Sequence, residues 1–235
     1  MLLSLTLKRI IGDMKLITPM DEVIFTNINL RNLLIGMEVG YSGNTIEIRR
    51  TLSELDKFVI DFVELLRRMK IRYVIVSGYV AILFGRTRGT EDVDFFIEDA
   101  SQNSFDKLMK ELDKRNLWIV NTSSTSMAYE MLKEGDSIRI AKKNDVVPNM
   151  EIKIAKTKDD KEQLENPVKV VINGFELPIS PIESQIAYKF WLGSEKDIED
   201  AVYLYELFKE KLDKGSIIKK CKELNVLGTM IKYVK

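Results

Sequence analysis

The 235-residue sequence predicts an α/β (α+β) fold: a mixed β-sheet core with flanking helices over residues 51–179, an N-terminal β accessory segment over residues 1–50, and a helical region over residues 180–235. Three observations predict it. Apolar stripes at helical spacing alternate with short β-branched runs through the middle of the chain. Two late runs flank Asn173-Gly174, a favoured hairpin turn. From Ser180 onward the patterned segments are helical and open with helix-start signals.

Residues 1–20 carry no firm pattern. Leu33 to Val39 and Thr45 to Ile48, separated by Tyr41-Ser42-Gly43-Asn44, read as a hairpin. Thr51 and Glu54 form a capping box ahead of a helix whose stripe is Leu55, Phe58, Val59, Phe62, Val63, Leu66 and Met69. Arg72 to Val76 reads as a buried strand, Tyr79 to Phe84 as a short helix and Val93 to Ile97 as a strand. Ser104 to Asn116 is an amphipathic helix followed by a strand at Trp118 to Val120. Ala128 to Lys133 suggests a helical turn and Ser137 to Ala141 a strand, while Met150 to Ala155 alternates cleanly. The charged run Lys156 to Asn166 reads as a solvated loop, and Val168 to Ile172 with Phe175 to Ile179 as a hairpin. Ser180-Pro181-Ile182-Glu183 combines a capping box with proline at the first helical position. A second helix starts at Ser194, and Gly215 interrupts the pattern before a last helix from Ser216. These readings place a domain boundary near Ile179.

Composition narrows the chemistry. A hydrophobic content of 45% is that of a folded globular protein, and 36 basic residues balance 36 acidic ones, so any attraction for polyanions has to be local. There is no histidine and only one cysteine, Cys221. Histidine-based triads, histidine-ligated metals, an internal disulfide framework and cysteine zinc clusters are therefore excluded, and the inventory that remains suits hard, oxygen-bound cations. Met1 to Leu7 is apolar but meets Lys8 and Arg9, well short of the ~20 residues that span a bilayer. The expectation is a cytoplasmic protein with no membrane partner.

The chemistry concentrates between Val76 and Asp94. Asp92 and Asp94 are two apart, so on a strand they share a face. Two carboxylates about 4 Å apart repel by roughly 4 kcal/mol at an effective dielectric near 20, which points to a cation between them. Ser77 and Gly78 stand at a strand-to-helix turn, where small residues let backbone N–H groups approach a phosphate. Taken singly, the acids also suit a loop-end cap and Ser-Gly suits a plain turn.

Together, Ser77-Gly78 and Gly85-x-x-Arg88-x-Thr90-x-Asp92-x-Asp94 resemble the signature of the nucleotidyltransferase superfamily with the DNA-polymerase-beta-like fold, nearest to its abortive-infection type toxins. Leu177 to Glu183, Lys189 and Lys196-Asp197-x-x-Asp200 resemble a segment that those proteins carry after the sheet. The resemblance implies a nucleoside triphosphate substrate, with two magnesium ions held by Asp92, Asp94 and a third acid, for which Glu151 is the candidate. It also implies that Ser77, Gly78, Thr90, Arg88, Lys189 and Lys196 serve the nucleotide, with Arg86 competing with Arg88. Other readings stand beside these roles: Glu151 as a solvent-facing acid next to Lys153, Lys189 lying along an apolar face, and Asp197 and Asp200 favoured at a helix start, Asp200 also placed to orient a lysine.

The implied acceptor is a hydroxyl, first of all on transfer RNA, with an antitoxin protein as partner. Alternatives are an aminoglycoside-type small acceptor and a nucleotide-binding module without turnover. Eight lysines among residues 208–235, against Glu210, Asp213 and Glu223, are a local basic excess that suits RNA or a solvated helix face, with Tyr203, Tyr205 and Tyr233 as stacking candidates.

Overall fold

The computed structural model describes residues 37–42 and 45–234. The expected strand start at Leu33 and the Gly43-Asn44 turn lie outside the described residues. Strands β1 (Glu38–Ser42) and β2 (Thr45–Arg49) precede helix α1 (Glu54–Arg68), β3 (Tyr73–Val76), α2 (Gly78–Leu83) and β4 (Asp92–Ile97). Then come α3 (Gln102–Lys114), β5 (Leu117–Ile119), α4 (Thr125–Glu134), β6 (Ile138–Lys142), β7 (Asn149–Ile154), α5 (Lys158–Glu165), β8 (Val168–Ile172) and β9 (Phe175–Ile179). Helices α6 (Ile182–Leu192), α7 (Glu195–Phe208), α8 (Lys214–Glu223) and α9 (Leu227–Tyr233) complete the chain. Val39–Pro181 forms one compact unit, and the chain from Ile182 onward belongs to another.

All nine strands form one mixed sheet, in the order β1-β2-β8-β9-β3-β4-β7-β6-β5. β1 and β2 are therefore part of the core sheet: β2 runs parallel to β8, with Thr45 opposite Lys169 and Ile48 opposite Ile172. On β4, Val93, Phe95 and Ile97 are buried while Asp92, Asp94 and Phe96 are half-buried. The buried side faces α1, where Phe62 meets Phe95 edge-on at 5.3 Å between ring centroids. Helix α1 buries Phe58, Val59, Phe62, Val63, Leu65 and Leu66, each contributing on the order of 2 kcal/mol relative to exposure.

Local chemistry corrects several sequence expectations. The cap of α1 is Ser53, not Thr51; its hydroxyl accepts from the Asp56 N–H, and Asp56 closes the box in place of Glu54. Residues 158–165 form a helix rather than a loop, because Thr157 and Asp160 make a capping box and Leu164 packs with Val74, Val76, Ala155 and Phe96. The turn expected at Ala128 is the ten-residue α4, capped by Ser124 and ended by Gly135 at φ 105°. Glu183 closes no box with Ser180; its carboxylate accepts from the Asp213 N–H at 3.0 Å. Gly215 lies in the first turn of α8, which Asp213 caps, and the expected last helix is two helices separated at Asn225, φ 57°.

Asp56 locks the sheet edge to the helices. It is fully buried and accepts from Arg50 at 2.6 and 2.8 Å, from the Ser53 N–H and hydroxyl at 2.7 Å each, and from the Tyr79 hydroxyl at 2.7 Å. Burial works against its charge, yet the bonds from Arg50, Tyr79 and Ser53 outweigh it and hold the carboxyl below its ordinary value. Arg50 N–H also donates to Asn173, whose amide donates back to the Arg50 carbonyl, tying the end of β2 to the β8–β9 turn. Asp56→Ala strands the half-buried Arg50 guanidinium and the buried Tyr79 hydroxyl and is expected to cost about 3 kcal/mol in urea unfolding at pH 7, against about 1 kcal/mol for Tyr79→Phe.

Candidate active site

The site is built where three strands deliver polar residues to one face. β3 is buried on both sides and pairs antiparallel with β4, placing Val76 opposite Asp94. β4 and β7 run parallel and in register, with Asp92 beside Asn149 and Asp94 beside Glu151. Paired residues on neighbouring strands project to the same side, so all four side chains share the face opposite α1. β6 continues the row, with Arg139 opposite Glu151.

Directly after β3, Ser77 takes φ 63° and ψ −137°, a conformation that favours glycine and costs a β-carbon residue on the order of 1–3 kcal/mol. Its hydroxyl donates to the Asp94 carboxylate. Gly78 opens α2, and a β-carbon there would lie 2.7 Å from Nη2 of Arg88, so the guanidinium lies directly across the glycine. The Thr90 hydroxyl donates to the Asp92 carboxylate at 3.1 Å and to its carbonyl at 2.9 Å, fixing the first acid.

Burial, then the charge of Asp92, and to a lesser extent that of Glu151, push the Asp94 carboxyl up to about 6; the Ser77 hydrogen bond and Lys153 act the other way and do not offset them. The carboxylate of Glu151 is turned to basic partners, accepting from Arg139 Nε at 3.0 Å with Lys153 Nζ at 3.9 Å. Among the described residues no three carboxylates gather closely enough to hold a metal by themselves. Asn149 donates its amide N–H groups to the Glu91 and Val146 carbonyls at 3.2 and 3.3 Å, while its Oδ1 is buried and meets no donor among the described residues.

Residues 56–228 match the family described as nucleotidyl transferase of unknown function (DUF2204). The chain belongs to this family. No curated protein matches it by sequence. Among solved structures, this nucleotidyl transferase is similar to an antigenic nucleotidyltransferase-like protein from Paracoccidioides brasiliensis, at 18% identity over 77% of this chain and 94% of that one, with a TM-score of 0.47. It is also similar to the lincosamide antibiotic adenylyltransferase LnuA, bound to lincomycin, at 15% identity over 66% of this chain and 98% of that one, TM-score 0.45. A tRNA nucleotidyltransferase complexed with a primer tRNA and an incoming ATP analog aligns at 16% identity over 72% of this chain and 59% of that one, TM-score 0.31. The family assignment rests on the sequence match, which covers most of the chain.

Within the transferase, Ser77, Gly78, Arg88, Thr90, Asp92, Asp94 and Glu151 belong to one compact unit and to neighbouring strands and turns. Lys189 and Lys196 belong to the other unit. Lys189 is fully buried, and its ammonium donates to Asp200 at 2.8 Å and Asp197 at 3.2 Å. Its charge is thus committed to an internal ion cluster rather than offered to a phosphate. Lys196 is exposed. Tyr203 is buried and Tyr233 stacks on Phe190 at 6.4 Å, so neither offers an open ring face as expected. The exposed stacked pair is Tyr188 and Trp191, 5.3 Å apart on α6. That pair, Asn149 and Arg139 escaped the sequence reading; the spacing of Tyr188 and Trp191, one helical turn, was the available signal.

The oxygen donors present fit a divalent cation. Asp92 and Asp94 carry the charge, the second with its carboxyl pushed up by burial and by the charge of the first, and an amide oxygen without a partner among the described residues is their neighbour in the sheet. Two stability measurements check this electrostatic picture. Asp94, raised in the folded state, holds a proton that the unfolded chain has already released between about pH 4 and 6. Its stabilising contribution is complete below that window and lost as pH rises through about 6. In EDTA, Asp94→Asn is therefore expected to be more stable than the parent at pH 8 by about 2 kcal/mol, the difference shrinking below pH 5. Lys189→Met leaves two buried aspartates without their cation and is expected to lose about 3 kcal/mol in denaturant unfolding.

Proposed function

We propose that this enzyme transfers a nucleoside monophosphate from a nucleoside triphosphate to an acceptor hydroxyl, with Asp92 and Asp94 holding magnesium and RNA as the acceptor. The observation that carries the reading is the pair of aspartates on one face of β4, oriented by Thr90 and Ser77, with the Asp94 carboxyl pushed up by burial and by its neighbour. Bound there, magnesium would neutralise triphosphate charge and activate the attacking hydroxyl. Gly78, having no β-carbon, gives the Arg88 guanidinium room to lie across the turn, where it would meet the triphosphate. The acceptor oxygen bonds to the α-phosphorus as the bond to the pyrophosphate oxygen breaks, and the hydroxyl proton passes to solvent.

Two features favour RNA. Exposed lysines on and around α8 and α9, Lys209, Lys214, Lys219, Lys222 and Lys232 among them, supply local positive charge in a molecule with no net charge. The Tyr188–Trp191 stack offers a face for a base. The resemblance to abortive-infection toxins makes transfer RNA the first acceptor to test, ahead of an aminoglycoside-type small molecule. A second reading, nucleotide binding without turnover, is favoured by the engagement of Glu151 with Arg139.

The test is incubation with magnesium and each labelled nucleoside triphosphate, with and without total RNA. Label is expected in RNA, falling at least about 100-fold in Asp92→Asn and Asp94→Asn. Equal labelling by these variants would sink the site, label on an added aminoglycoside alone would move the acceptor to a small molecule, and nucleotide binding with no product would favour the module.

A further inference from the structure

Four strand positions share the polar face of β4 and β7, and one of them is balanced without a ligand: Glu151 pairs with Arg139 and Lys153, and the remaining imbalance lies with the aspartates and Asn149. We propose that Asn149 Oδ1, and not the carboxylate of Glu151, is the third oxygen that holds a divalent cation with Asp92 and Asp94. The inference rests on the metal reading of the preceding subsection.

Three features of Asn149 point the same way. It stands in register with Asp92 on an adjacent parallel strand, where Cα atoms are about 4.8 Å apart and side chains project together. Its orientation is set, because the amide nitrogen faces the Glu91 and Val146 carbonyls and a flipped amide would turn oxygen against oxygen. That leaves Oδ1 as a buried acceptor on a residue 5% exposed, a position that folding disfavours unless something fills its coordination. A hard cation is suited to it: magnesium and its relatives accept amide oxygens alongside carboxylates, and the neutral amide adds a ligand without adding to the repulsion between Asp92 and Asp94.

Glu151 is placed differently. Arg139 reaches it from β6, and Lys153 lies two residues along the same strand, so recruiting its carboxylate to a cation would leave both bases facing a third positive charge. Glu151 instead anchors Arg139 at the border of the site.

The experiment reads metal directly, without nucleotide or turnover, by following free Mn²⁺ in electron paramagnetic resonance titrations of the full chain. Asn149→Ala is expected to weaken Mn²⁺ binding about tenfold or more, with Glu151→Gln staying within about threefold of the parent. Because Asn149→Ala also removes two hydrogen bonds and can lower stability, a second measurement uses the unmutated protein. The side-chain carbonyl carbon of Asn149 is expected to shift in NMR spectra as Mg²⁺ is added, saturating with the other site resonances. A parent protein that binds no Mn²⁺ would overturn the metal reading and this inference together. Intact Mn²⁺ binding in Asn149→Ala, an Asn149 carbonyl resonance unmoved by Mg²⁺, or a tenfold loss in Glu151→Gln would overturn this inference alone.

Discussion

The parallel, in-register pairing of β4 with β7 is the constraint on which the rest of the site depends. It puts Asp92 beside Asn149 and Asp94 beside Glu151, and with the same register it sends Val93, Phe95, Ile97, Met150, Ile152 and Ile154 into the buried core. A slip of one residue would carry the polar row into that core and the apolar row out of it, so burial of six large side chains enforces the geometry of four polar ones. The antiparallel neighbour β3 then fixes where the Ser77–Gly78 turn falls relative to Asp94.

The protein treats buried charge in two ways. Asp56 is ringed by Arg50, Ser53 and Tyr79, and Lys189 is held between Asp197 and Asp200; each arrangement pairs its ion within its own compact unit and ties neighbouring elements together. At Asp94 the balance is left open, with burial and like charge outweighing the Ser77 hydroxyl and Lys153. Ser77 adds a backbone conformation that glycine would adopt more readily. A β-carbon residue at that turn is compensated by what its hydroxyl does for Asp94. Strain and uncompensated charge therefore meet at one turn and one strand, the pattern expected where stability is given up for ligand binding.

Arg139 and Glu151 set the border of this region. An acid at the strand position next to Asp94 looks like a ligand when only the sequence of β7 is considered, because Glu151 and Lys153 alternate with apolar residues on an ordinary half-buried strand. The partner that this view leaves out comes from β6, whose Arg139 is opposite Glu151 and pairs with its carboxylate.

Sequence alone determined the helix–strand order of the core apart from α5, the shared face of Asp92 and Asp94, the turn at Ser77–Gly78 and the helical character of the chain beyond Ile179. These depend on period, turn chemistry and spacing within a few residues. It misread the charged segment that forms α5, because Leu164 finds its apolar partners on β3, β4 and just past β7, far away in the chain. Only the tertiary structure decided that Lys189 is sealed between two aspartates, that Arg139 pairs with Glu151, and that Asn149 stands beside Asp92 with an oxygen that meets no donor among the described residues. Each of those facts depends on how separate elements pack together, and the energy of a buried polar group is set by the partner it finds or lacks there.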